Sequence, residues 1–140
     1  MIKEIKVKAM CIIKHNDKLL LNKGFDSIKN ETFYRLIGGH VEFGEKAIDT
    51  LKREIFEELG VEIFNLEFVT PIEEIFIYQG ERGHEVIFVF EGELRDEKVL
   101  GSETIPNPDS PNFPAVWIPV SLVKDKSIIC YPTFEIEKYI

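Results

Sequence analysis

The chain has 140 residues, of which 44% are hydrophobic and 30% are charged, and its formal net charge is −8. This length fits one domain with one core, and the composition excludes a disordered chain. The acidic balance also argues against polymeric nucleic acid as a partner, because such binding depends on many contacts between cations and phosphates. A small anionic substrate would need a positive group to mediate its binding.

Alternating apolar residues predict a β-hairpin near the amino terminus. The alternation runs from Ile5 to Ile13, turn-forming residues occupy 15–18, and Leu19–Leu21 resume the extended pattern. A hairpin over residues 4–22 accounts for these features.

The following segment is predicted to be a loop and then a short strand. Residues 23–31 are mostly polar and favour a loop, whereas residues 32–37 favour a strand. We expect this strand to stop at Gly38-Gly39, where the backbone can adopt positive φ or approach a ligand closely.

An amphipathic helix is predicted from Glu45 to Leu59, with Gly60 as its terminator. Glu54, Glu57 and Glu58 share one face of this helix. A neighbouring stripe, clear of these carboxylates, carries the apolar residues that would pack on the core: Ile48, Leu51, Ile55 and Leu59, with Phe56 beside them.

The rest of the chain predicts more strands and one late helix. Strands on both sides of the central helix, with another helix near the end, indicate an α+β fold in which helices cover a mixed sheet on two sides. The predicted elements are a hairpin over 66–78 and 85–94, a long loop over 95–114, a strand over 115–119 and a terminal helix over 133–140.

The two cysteines and the amino-terminal segment indicate a cytoplasmic protein. Cys11 and Cys130 have apolar neighbours and no metal-binding CxxC spacing, so we expect buried free thiols. The first residues carry charges throughout, unlike a signal peptide, and no apolar run is long enough to span a membrane.

The three helix carboxylates are the first candidates for chemistry. Glu54 and Glu58 repel each other at spacing i,i+4, and all three lie near the helix carboxyl end, where the dipole disfavours negative charge. One interpretation is a solvated acidic surface. The other is a site for a hard cation such as Mg²⁺, which would relieve the repulsion and attract an anionic substrate.

The segment from Gly39 to Val61 resembles the signature of the Nudix (MutT-like) hydrolases, G-x5-E-x7-R-E-U-x-E-E-x-G-U, in which U is aliphatic. Every specified position matches; these are Gly39, Glu45, Arg53, Glu54, Ile55, Glu57, Glu58, Gly60 and Val61. The resemblance implies one Nudix domain over residues 1–140, folded as an α/β/α sandwich with a mixed sheet.

The resemblance also implies the site and its cofactor. Glu54, Glu57 and Glu58 match the carboxylates that hold Mg²⁺ or Mn²⁺ in the family, and the Gly38 carbonyl matches a backbone ligand. Arg53 completes the catalytic group by pairing with Glu45. Gly39, Glu45 and Gly60 then support the loop–helix–loop, and the implied reaction is attack of water on a phosphorus of a nucleoside diphosphate derivative.

The general base is left open by the sequence. Glu54 is the best candidate within the signature, because a carboxylate beside a bound cation can accept a proton from water. A further ligand or base can also come from downstream carboxylates, for which a solvated position is the competing interpretation: Glu85, Asp96, Glu97, Glu103 and Asp109.

Substrate contacts are predicted just before the double glycine and in the second hairpin. Arg35 could meet a phosphate, and Tyr34, Phe76 and Tyr78 could stack on a base. We expect a pyrophosphohydrolase for small nucleotides or nucleotide conjugates, with no membrane partner and with a homodimer left open. The rival interpretation is a non-catalytic nucleotide-binding Nudix-like sensor, although such modules usually lose carboxylates that this chain keeps.

Overall fold

The computed structural model describes residues 3–140, and its central feature is an eight-stranded mixed sheet. The strand order is β4-β5-β1-β3-β2-β7-β6, and β8 pairs with β3. The β1–β5 and β3–β8 pairs are parallel, and the others are antiparallel. The strands are β1 (Lys6–His15), β2 (Lys18–Asp26), β3 (Glu31–His40), β4 (Ile63–Tyr78), β5 (Glu81–Leu94), β6 (Thr104–Ile105), β7 (Ala115–Pro119) and β8 (Cys130–Tyr131).

Helices cover both faces of this sheet, so the predicted mixed sheet and its helical layers are confirmed. Helix α1 (Ala47–Leu59) and the short α2 (Glu97–Leu100) pack on one face, where Leu51 and Ile55 are fully buried. Helix α3 (Val120–Lys124) and a 3₁₀-helix (Ile136–Lys138) pack on the other. Within residues 3–140, none of the helices is long and apolar enough to cross a membrane.

The predicted helix and its terminator at Gly60 are confirmed, but one side chain predicted beside the apolar stripe is exposed. Gly60 has a φ of 71°, and its N–H bonds to the carbonyl of Phe56, so it ends α1 as the sequence predicts. Phe56, however, points away from the core and is 63% exposed. It therefore does not belong to the apolar stripe.

The prediction that Gly38-Gly39 stops a strand is wrong, because β3 continues through both glycines to His40. Met10 and Ala9 of β1 pair with these two residues. A Cβ at position 38 would lie 2.0 Å from the Ala9 carbonyl oxygen, so the strands approach closely at a position that only glycine can occupy.

The predicted terminal helix is also wrong. Only a single 3₁₀ turn forms at 136–138, and it buries Ile136 against the sheet. The residues before it form β8, which adds a short parallel strand beside β3. The predicted loop over 23–31 is shorter than expected because β2 extends to Asp26, and the loop over 95–114 contains α2 and β6.

Both cysteines are free thiols, as expected. Cys11 is fully buried and Cys130 is partly buried. Burial raises the pKa of both thiols, and that of Cys130 reaches about 12. Neither thiol is therefore a nucleophile near neutral pH.

The turn between β2 and β3 is tied to the tip of the β4–β5 hairpin through a buried carboxylate. Asp26 accepts hydrogen bonds from the N–H groups of Ile28 and Lys29 in its own turn and from that of Gln79 across the molecule, each at 3.0 Å. Lys29 also donates to the Ile77 carbonyl oxygen at 2.6 Å. These bonds fix one wall of a cleft between β3 and the β4–β5 hairpin.

We predict that Asp26→Asn lowers the melting temperature by about 4–8 °C, because the charged acceptor of three backbone N–H groups is lost. Thermal unfolding followed by circular dichroism measures the shift. Ser27→Ala is the control, since it removes only the exposed hydrogen bond from Ser27 to the Gln79 side chain. Equal melting temperatures for Asp26→Asn and the wild type would contradict this role.

Candidate functional site

The candidate site lies where the end of β3 meets the carboxyl half of α1. The backbone at Gly39 passes directly beneath the Glu54 carboxylate, and a Cβ on residue 39 would lie 2.3 Å from the Glu54 carboxyl carbon. Glycine is therefore required for this approach, which brings a strand end and a helix carboxylate into contact.

Arg53 is the centre of the hydrogen bonding around this contact. Its Nε and one terminal nitrogen each donate to a Glu45 carboxylate oxygen at 2.9 Å, in a bidentate pair. The other terminal nitrogen donates to Glu54 at 2.9 Å and to Glu57 at 3.3 Å. A further bond at 3.2 Å reaches the His40 carbonyl oxygen, so one guanidinium joins β3, the following loop and α1.

Glu45 is also held by Thr50, whose hydroxyl donates to it at 2.6 Å. Hydrogen bonds from Arg53 and Thr50 lower the pKa of Glu45 to about 2. The carboxylate is therefore ionised at neutral pH and forms a permanent ion pair with Arg53.

Glu58 and Glu54 are in a less favourable electrostatic environment. Burial and the nearby Glu54 charge raise the pKa of Glu58 to about 7, although Arg35 acts in the opposite direction. Burial also raises the pKa of Glu54, despite its bonds from Arg53. One oxygen of Glu58, Oε2, is buried and has no hydrogen-bond partner among the described residues, which leaves a strong acceptor unsatisfied.

These residues fit a divalent cation chemically. Hard cations prefer carboxylate and carbonyl oxygens, and a cation would satisfy Glu58 Oε2 and relieve the repulsion between Glu54 and Glu58. Across residues 3–140, no three histidine, cysteine or acidic side chains are arranged closely enough to hold a metal ion. Arg53 instead bonds to Glu54 and Glu57.

Among the five downstream carboxylates, Asp109 acts electrostatically on the helix carboxylates. Its charge raises the pKa of both Glu54 and Glu58. Its loop is held by the buried Asn107, whose side-chain oxygen accepts from the N–H groups of Asp109 and Ser110. Asp96 instead caps α2 by accepting from the Val99 N–H, and Glu85 pairs with Lys8.

A cleft begins beside this site and runs between β3 and the β4–β5 hairpin. Arg35 and Tyr78 both line it, and their role as substrate contacts stays a prediction. The Arg35 guanidinium lies 4.6 Å from the centre of the Phe113 ring. Tyr34 packs against the hydrophobic cluster that contains Leu36, so the structure does not bring it together with the other two.

Sequence reasoning missed two cleft residues, Lys6 and Lys8, whereas Phe76 is expected beside the substrate and does line the cleft. Lys6 and Lys8 alternate with apolar residues at the start of the first strand. This alternation is the sequence signal that both lysines lie on the same face of the sheet. Their meeting with Phe76 depends on the parallel pairing of β1 with β5, which a local pattern does not specify.

Comparisons with known proteins identify the family and the fold. The family model of the NUDIX domain matches residues 5–130. A NUDIX hydrolase from Nitrosomonas europaea has a TM-score of 0.63 at 19% sequence identity, over 92% of this chain and 82% of that one. A MutT NUDIX hydrolase from Burkholderia pseudomallei has a TM-score of 0.63 at 18% identity, over 97% and 95% of the two chains.

A mutator MutT protein from Bacillus halodurans is similar to the same degree. Its TM-score is 0.63 at 21% identity, over 86% of this chain and 72% of that one. At these identities the structural likeness establishes the fold.

We predict that Arg53→Ala lowers the melting temperature by about 5–10 °C, because Glu45, Glu54 and Glu57 lose their shared partner. The loss should be present above pH 4.5, the ordinary glutamate pKa, and should disappear as the pH falls toward 2, where Glu45 becomes protonated. Thermal unfolding across this pH range measures it. Lys52→Ala, at the exposed neighbouring position, is the control; a loss of equal size there would contradict the prediction.

Proposed function

We propose that this chain, which belongs to the NUDIX family, is a Mg²⁺-dependent pyrophosphohydrolase that cleaves a small nucleoside diphosphate derivative. The family consists of hydrolases that act on nucleoside diphosphate derivatives and generally use divalent metal ions. Mn²⁺ is the alternative cation. We place the enzyme in the cytoplasm, where free nucleotides occur and where its two thiols remain reduced.

One observation carries the proposal: the buried, unpartnered Oε2 of Glu58 lies in a cluster of carboxylates that repel each other. A purely structural acidic surface would be solvated, whereas this oxygen is removed from water without a protein donor. Glu54, Glu57, Glu58 and the Gly38 carbonyl are the groups that we propose as metal ligands. When bound, the cation supplies positive charge to the diphosphate oxygens and promotes deprotonation of water.

The protein residues would position the substrate and accept the proton. Arg35 lines the cleft, its charge lowers the pKa of Glu58, and its guanidinium can bind a phosphate oxygen. Glu54 is our proposed general base, and Asp109 is the alternative because its charge faces the same cluster. Arg53 keeps the loop and the helix in register through Glu45, which is a positioning role.

A nucleotide-binding sensor without catalysis is the second candidate. The observation that favours it is that Arg53 bonds to both Glu54 and Glu57, which reduces the negative charge available to a cation. The two candidates differ in turnover, so one assay separates them: release of a phosphate-containing product from nucleotide substrates in the presence of Mg²⁺.

We predict that Glu58→Gln reduces turnover of the preferred nucleotide at least about 100-fold, because a ligand for the cation is lost. The same variant should be as stable as the wild type or more stable, since a buried charge is removed. Glu57→Gln should also lose most turnover, and excess chelator should abolish the activity of the wild type. A panel of nucleoside diphosphate derivatives, scored by phosphate release with and without added phosphatase, identifies the substrate.

Glu62→Gln is the matched control, because Glu62 is exposed just beyond the helix. Added Mg²⁺ should raise the melting temperature of the wild type and of Glu62→Gln but not that of Glu58→Gln, which measures metal binding independently of turnover. Full activity of both helix variants, or of the wild type in chelator, would contradict the assignment as a metal-dependent hydrolase.

We predict that capped or long RNA binds at least tenfold more weakly than the preferred small nucleotide at physiological salt. The net charge of −8 opposes contacts with many phosphates, and the cleft beside Arg35 suits one compact ligand. Filter binding with both ligands, together with a decapping assay, tests this. Tighter use of RNA than of every mononucleotide derivative would overturn it.

A further inference from the structure

The outer part of the cleft lies where the sheet opens between β1 and β5. Strand β5 pairs with β4 from its first residue, Glu81, whereas β1 first pairs with β5 at Lys6, opposite Glu85. Within residues 3–140, residues 81–84 therefore have a strand neighbour on one side only. The space on their other side is the outer cleft. It holds about 580 Å³, which is within the roughly 300–1,000 Å³ of ligand pockets.

Cations outnumber carboxylates in the outer cleft, although the chain as a whole is acidic. Five lysine and arginine side chains line it against three glutamates, whereas the full sequence has 17 basic and 25 acidic residues. Because most of the surface of such a chain repels anions, this local excess of positive charge marks where an anionic ligand is attracted. The five cations are Lys3, Lys6, Lys8, Arg35 and Arg82.

Most of this positive charge is not neutralised by the protein. Lys8 Nζ lies 2.7 Å from Glu85 Oε2, so these two charges offset each other. Lys6, Arg35 and Arg82 form no salt bridge with any residue of the described chain. Burial is the main cause of the lowered pKa of Lys8, and the charges of Arg35 and Lys6 lower it further against the effect of Glu85. The cations of β1 and β3 therefore act on one another across the outer cleft.

The strand register determines how far these cations lie from the candidate metal site. Ala9 pairs with Gly39 of β3 on one side and with Phe88 of β5 on the other. Lys6 precedes Ala9 by three residues, which separates their backbones by about 10 Å at roughly 3.3 Å per residue. Arg82 precedes Phe88 by six residues, or about 20 Å. A ligand that contacts both cations must extend well beyond a diphosphate held at the helix carboxylates.

Phosphate is the anion that these side chains suit. A phosphomonoester carries about two negative charges at neutral pH. The planar guanidinium of arginine binds phosphate oxygens through two parallel hydrogen bonds, and lysine binds them as a point charge. Arg35 acts on Glu58 and can serve the diphosphate itself, whereas Lys6 and Arg82 stand farther along the cleft and can serve a second group.

We infer that the outer cleft binds a phosphate group that the substrate carries beyond its scissile diphosphate, and that Lys6 and Arg82 are its contacts. This inference rests on the proposed function, because it names the class of diphosphate derivative that the candidate site would cleave. The further phosphate belongs to a longer polyphosphate chain or to a phosphomonoester elsewhere in the molecule, and both present the same oxygens to the two cations.

Titration calorimetry in the presence of chelator tests the inference without requiring a metal or hydrolysis. One arm compares tetrapolyphosphate with pyrophosphate, and the other compares NADP⁺ with NAD⁺, which lacks one phosphomonoester and is otherwise identical. We expect the wild type to bind the ligand with more phosphate at least tenfold more tightly in at least one arm. Preference in the first arm assigns a polyphosphate chain, and preference in the second assigns a separate phosphomonoester.

The double variant Lys6→Gln/Arg82→Gln should reduce that preference to within about threefold, because both contacts of the further phosphate are lost. Its matched control is Lys18→Gln/Lys124→Gln, which removes the same charge from two exposed positions outside the cleft. The control should keep the full preference. Circular dichroism verifies that each variant is folded.

Four results would overturn the inference: a wild type without preference in either arm, a wild type that binds none of the four ligands, a folded Lys6→Gln/Arg82→Gln variant that keeps the preference, or an equal loss in the control. Preference without turnover of any diphosphate derivative in Mg²⁺ would contradict the proposed function but support the phosphate subsite. Turnover without preference would support the proposed function and contradict the subsite.

Discussion

One guanidinium group holds the candidate site in place. Arg53 projects from α1 and bonds to Glu45 in the loop, to the His40 carbonyl at the end of β3, and to two carboxylates of its own helix. Without it, Glu54, Glu57 and Glu58 would combine mutual repulsion with the unfavourable end of the helix dipole. Arg53 reduces the repulsion within the acidic cluster because its positive charge offsets part of the negative charge, and its bonds to Glu45 also fix the loop.

Among the three glutamates of α1, Glu58 is the one that Arg53 does not hydrogen-bond. Arg53 reaches Glu54 and Glu57, but Glu58 has a buried oxygen without a donor. Arg53 therefore holds two of the carboxylates, while the third keeps an unsatisfied oxygen. Arg35 and Lys8 line the cleft together with acidic side chains such as Asp26 and Glu85, so this strongly acidic chain still offers cationic groups to a phosphate-bearing ligand there.

Local patterns in the sequence specify the helix and most strands correctly. The residues of α1, its Gly60 terminator and the strand at 115–119 follow from periodicity and from glycine chemistry. The double glycine was misinterpreted because a glycine can mark either a turn or a close strand approach, and the Ala9 backbone that decides between them is distant in sequence. The terminal segment was misinterpreted because eight residues gain little as an isolated helix, and a single 3₁₀ turn already buries Ile136.

The contents of the candidate site were only partly predictable. The glutamates of α1 and the pairing of Arg53 with Glu45 could be named because they lie within one continuous motif, whereas the bonds from Arg53 to Glu54 and Glu57 could not. Lys8 and Glu85 could not be paired, since they meet only through the parallel register of β1 and β5. Asp109 cannot be distinguished by sequence from the other four downstream carboxylates, because its position depends on the folded loop that Asn107 holds.

The loop that carries Asn107 and Asp109 is anchored at both ends. The indole N–H of Trp117 donates to the Val99 carbonyl at 3.0 Å, and the Asn22 side chain donates to the Phe113 carbonyl at 3.0 Å. Trp117 is the only tryptophan of the chain. Intrinsic fluorescence excited at the indole band is therefore a built-in optical reporter of whether the α2 anchor of this loop is in place, independent of the tyrosine and phenylalanine rings that line the cleft.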